Sequence, residues 1–172
     1  MKIIEKNFYR NILRGLPIVA LYLLVLTGFD LSFLFYDTNF SFNFVYLIIF
    51  FFVLKNPNTL SYGLIFLAGI INDVVQNFPI GISSINYLLL CAIAAFIRAR
   101  IILPSLLYDW IFFLIAIIIV SSVNYTVLTI IFEIPINYKT LMLSGLLTFL
   151  VYPILSKIFN NKLLSFLRAE DD

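Results

Sequence analysis

The chain has no histidine, a single cysteine (Cys91) and only 12% charged residues, about half the share of an ordinary soluble domain. Each shortage excludes something. Without histidine there are no His-based catalytic triads, no His proton relays and none of the usual His-containing metal sites. One cysteine cannot form an intrachain disulfide, so pairing says nothing about redox compartment. The net charge is +2, and Lys and Arg stand singly or in pairs, which leaves no basic patch for a nucleic acid to follow.

Hydrophobic residues are what the chain has in excess: 63% of 172 residues, with 17% aromatic. A domain of this length has too little interior to hide them from water, so the solvent is lipid. Inside a bilayer every backbone polar group must be paired internally, which restricts the chain to helices or a closed barrel. Long, non-alternating apolar runs select helices. The predicted fold is an all-α polytopic membrane protein, a bundle of about six transmembrane helices in one integral membrane domain covering residues 1–172. The spans are 12–35, 42–54, 59–75, 82–97, 106–132 and 140–159, separated by Pro- and Asn-rich stretches such as Lys55-Asn56-Pro57-Asn58. Thr27, Gly28 and Phe29 offer no small-x-small cleavage pattern, so the first span is expected to be retained.

Charge orients the bundle. With six crossings and a cytoplasmic N-terminus, the inner side holds Lys2, Lys6, Arg10, Arg14, Lys55, Arg98, Arg100, Lys157, Lys162 and Arg168, and the outer side only Lys139. That asymmetry over short loops is the positive-inside pattern, and it puts both termini in the cytoplasm, with Tyr108 and Trp110 at the inner interface. Making 42–54 re-entrant would move Arg98 and Arg100 outside, so that arrangement is rejected. Lys and Arg at inner helix ends are explained by attraction to anionic lipid.

Polar residues inside so apolar a chain are its informative minority. At about 1.5 Å per residue, Asp30, Asp73 and Asn124 lie roughly 20–22 Å from the inner ends of their spans, and Asn86 enters its helix at the same level from the outer side. Polar side chains at this depth are costly unless they face protein or water, which predicts a polar cluster near the outer leaflet. The blander alternatives stay open: Asp30 and Asp73 as solvated helix ends, Asn86 and Asn124 as interhelical hydrogen-bonding glue, Gly69 as a close-packing position. No nucleophile–base pair or clustered acids support catalysis, so neither an enzyme nor a cofactor is expected.

The segment Gly69-Ile70-Ile71-Asn72-Asp73-Val74-Val75-Gln76-Asn77-Phe78-Pro79-Ile80-Gly81, followed by a helix ending in Arg98-Ala99-Arg100, resembles the rod shape-determining MreD family of bacterial inner-membrane proteins. The shared element is a Gly four residues before an Asp and another eight residues after it. Span count and a late Tyr152-Pro153 pair before Lys157 and Lys162 are also similar, and the likeness runs from about residue 60 to 159. Asn77 stands where the family commonly has Gly, and Asn tolerates positive φ best among other residues; Pro79 would stiffen the same turn.

The resemblance implies a non-enzymatic adaptor in the bacterial cytoplasmic membrane. Its implied partners are membrane lipid, an MreC-like bitopic protein, a RodA-like polymerase with its penicillin-binding transpeptidase and, indirectly, MreB. The outer loop from Asp73 to Gly81 is expected to present a shaped surface to a periplasmic partner. The competing expectation is a substrate-binding subunit of a vitamin uptake transporter, whose pocket Asp30, Asn72, Asp73, Asn86 and Asn124 would line. Against it, the first span lacks the small-xxx-small stripe on which such subunits resemble one another.

Overall fold

The computed structural model describes Gly15 and residues 17–28, 31–35, 38–57, 59–100, 105–135 and 137–171. In chain order these form α1 (Pro17–Thr27), β1 (Leu31–Phe35), β2 (Thr38–Phe42), α2 (Phe44–Lys55), α3 (Tyr62–Gln76), α4 (Ile82–Arg100), α5 (Leu106–Thr126), a π turn (Val127–Ile131) and α6 (Tyr138–Asp171). Three helical stretches are long and apolar enough to cross a membrane: Ile82–Arg100, Leu106–Ile131 and Tyr138–Asn160. The helices α1, α2 and α3 are shorter.

The helical expectation holds, with one addition. Residues 12–35 read as a single apolar helix, yet α1 stops at Gly28, whose φ of +55° breaks the helical path. The chain then pairs Leu31–Phe35 antiparallel with Thr38–Phe42, in a register that sets Leu31 opposite Phe42 and Phe35 opposite Thr38. The period-two alternation of Thr38-Asn39-Phe40-Ser41-Phe42 suits a strand better than a helix.

At the centre lies α2. Its sequence is apolar around its whole circumference, and a helix of that kind must be enclosed. Nine of its twelve residues are buried, with α4 and α6 packed on it. Phe50 meets Phe113 of α5 at 5.0 Å and Tyr152 of α6 at 5.9 Å, while Phe113 and Tyr152 stack at 4.6 Å, so one aromatic trio ties three helices. Asn43 caps α2 by accepting from Tyr46 N–H, and its own N–H donates to Thr148 Oγ1 at 3.0 Å.

Candidate functional site

The Gly69–Gly81 segment forms the α3–α4 corner, held by hydrogen bonds of Asn72, Asp73 and the turn backbone. Asn77 ends α3 in the left-handed conformation (φ 55°, ψ 36°), and the N–H groups of Asn77 and Phe78 both donate to the Asp73 carbonyl. The Asp73 carboxylate then reaches across the turn. Oδ2 accepts from Gly81 N–H at 2.7 Å and Oδ1 from Ser83 N–H at 2.9 Å. One residue thus closes α3 with its backbone and caps α4 with its side chain, placing a negative charge at the positive end of a helix.

Two further contacts lock the corner. Asn72 Nδ2 donates to Ser83 Oγ at 2.9 Å, and Ser84 Oγ donates to the Phe66 carbonyl at 2.9 Å. Gly69 lies directly against Ser84, so that a Cβ there would collide with the Ser84 backbone. Gly81 has φ +105°, which only glycine adopts without strain. Asp73 is fully buried, whereas Phe78 and Ile80 at the tip are 40% and 74% exposed. The exposed part of this turn is therefore apolar, and the Asp73 carboxylate is not on it.

Beside this corner lies a partly open cavity of about 530 Å³ between α1, α2, α3, α4, α5 and α6. Its amides are Asn43, Asn72, Gln76, Asn86, Asn124 and Asn137. Hydroxyls come from Ser83, Ser121, Thr140, Ser144 and Thr148, and aromatic rings from Tyr46, Tyr87 and Phe78. Asn86 Nδ2 donates to Asn124 Oδ1 at 2.8 Å, joining α4 to α5 at the cavity wall. Asn72, Asn86 and Asn124 thus line one cavity. Asp73 does not line it, because both of its oxygens face the start of α4, and Asp30 lies outside the described residues.

The opposite end of the bundle holds a feature that the sequence did not disclose. Lys55 at the end of α2 pairs with Asp109 in the first turn of α5 at 2.6 Å, and Asp109 is only 2% exposed. Arg98 Nη1 donates to the Val53 carbonyl at 2.9 Å, satisfying a terminal group of α2. Both cations were expected to serve lipid; both are engaged by protein. Nearby, Pro153 sits inside α6, and Trp110 Nε1 donates to the Phe149 carbonyl at 2.9 Å while stacking on the Phe149 ring at 4.7 Å. Phe149 is four residues before Pro153, so this carbonyl is the one that the missing proline N–H leaves without its helical donor.

A family model described as rod shape-determining protein MreD matches residues 9–162. No curated protein and no solved structure matches the chain.

Proposed function

The chain belongs to the rod shape-determining MreD family, and from that premise we propose that it is a non-enzymatic adaptor, a single integral membrane domain in the bacterial cytoplasmic membrane. It joins an MreC-like bitopic protein and, through it, MreB to a RodA-like polymerase and a penicillin-binding transpeptidase. The observation that carries this reading is the family match over nearly the whole length. A vitamin transporter subunit gains no support from that match.

The α3–α4 corner supplies the docking surface in this reading. Phe78 and Ile80 are large apolar side chains left exposed on a turn whose backbone is fixed by Asp73, Asn77 and Gly81. A rigid apolar tip needs little ordering on binding, which favours affinity. Ile80→Asp combined with Phe78→Ala should reduce co-purification with the bitopic partner severalfold and widen rod-shaped cells, with membrane levels unchanged. Unaltered pull-down together with unaltered cell width would reject the reading.

A further inference from the structure

We infer that the cavity beside the α3–α4 corner is a binding site for an uncharged, hydroxyl-rich group of sugar size, either the headgroup of a glycolipid or a free saccharide. At about 530 Å³ it falls within the range of small-molecule sites. The composition of its wall selects the ligand. No Lys, Arg, Asp or Glu lines it among the described residues. A phosphate or carboxylate ligand would call for Arg or Lys, and an amine for a carboxylate. Side-chain amides and hydroxyls instead both donate and accept, which is the complement of a sugar hydroxyl.

Structural glue does not explain the arrangement. Asn86 and Asn124 bond to each other and Asn72 bonds to Ser83, as packing amides do, but all three also border an open volume. The Asn86–Asn124 bond uses one N–H of Asn86 and the Asn124 carbonyl, so each side chain keeps further hydrogen-bonding capacity. In a chain 63% hydrophobic, polar side chains at membrane depth are kept where they face protein, water or a polar ligand, and these face an open volume. Phe78, at 40% exposure, and Tyr46, edge-on to Tyr87 at 5.8 Å, offer rings against which the hydrocarbon face of a sugar can pack. The π turn at Val127–Ile131 follows Asn124 closely and contributes Leu128 to the wall, and such turns recur at functional sites.

The test uses full-length protein purified in an alkyl phosphocholine detergent, which has no sugar headgroup, and reconstituted in phosphatidylcholine nanodiscs. The probes are monoglucosyl diacylglycerol, free maltose and, as the charged comparison, phosphatidylglycerol, each measured by equilibrium binding. Saturable one-to-one binding of either sugar probe is expected, weakened at least tenfold by Asn124→Leu and several-fold by the isosteric Thr140→Val. Lys139→Ala, outside the cavity, should leave it unchanged. Retention of the glycolipid alone identifies a lipid headgroup as ligand, and equal retention of maltose identifies a soluble saccharide. The inference is overturned if neither sugar binds, if phosphatidylglycerol binds as well as the glycolipid, or if both cavity variants keep the parental helix content and the parental affinity.

Discussion

A carboxylate with no exposure must be neutralised or saturated with hydrogen bonds, because an unpaired buried charge costs several kcal/mol. Asp73 takes the second route, with two backbone N–H groups on its two oxygens. Its replacement is therefore felt at the corner before it is felt by any partner. Asp73→Ala leaves the Gly81 and Ser83 N–H groups unpaired, at about 1–3 kcal/mol each, and should lower the thermal unfolding midpoint in detergent markedly. Asp73→Asn keeps one acceptor and should fall between Ala and the parent. If Ala and Asn were equally mild, the carboxylate would not be what fixes the turn. The same logic explains how far the motif was legible. Its spacing pointed to the right residues, but a Gly-x-x-x-Asp pattern does not say whether the Asp faces out to a partner or in to the next helix, and only the αL turn at Asn77 brings the carboxylate back onto α4.

At the scale of elements, a proline in the middle of α6 has to be reconciled with an apolar surrounding that cannot hydrate the freed carbonyl. The Trp110 indole does this from the neighbouring helix, donating to Phe149 O while its ring stacks on the same residue. The two residues should then be energetically coupled. Trp110→Phe is expected to cost about 1 kcal/mol from the lost hydrogen bond alone. In a Pro153→Ala background the new N–H serves Phe149 itself, so the same substitution should cost less. A double-mutant cycle on unfolding midpoints measures this, and additive effects would disprove the link.

Element boundaries were well read where apolar runs stop at capping or turn residues. The blocks 59–75, 82–97 and 106–132 overlap Tyr62–Gln76, Ile82–Arg100 and Leu106–Ile131, whereas 140–159 falls inside α6, which runs on to Asp171. The hairpin was missed because its Phe and Leu residues add to the hydropathy of the flanking blocks, so that a sum over windows hides a change of period from 3.6 to 2. The Lys55–Asp109 pair was missed for another reason: it joins residues far apart in sequence, and only the packing of α5 beside α2 brings them together.

For the molecule as a whole, the hairpin bears on the shortness of α2. The twelve residues of α2 rise only about 18 Å, too little for a core of about 30 Å. Asn43, at the head of α2, donates to Thr148, which lies ten residues into α6, so α2 begins part-way along its neighbour and strand β2 covers the rest of the distance beside α6. Five strand residues at about 3.3 Å each add roughly 17 Å to the ~18 Å of α2, and strand backbone at that depth is tolerated only where protein covers it, as α6 does beside β2. The strand lengthens α2 alone, and α1 and α3 stay below spanning length on their own, so the proposed six crossings rest on the charge asymmetry. The proposed topology follows from that asymmetry: both termini are cytoplasmic, and so are reporters inserted at 56–58 and 101–104. Reporters at 36–37, 77–80 and 133–137 should be extracytoplasmic, on the side of the α3–α4 corner and the polar cavity. A reporter following Arg100 that proved extracytoplasmic would reverse the orientation, and the tip at Phe78 and Ile80 would then face the cytoskeleton instead of the wall.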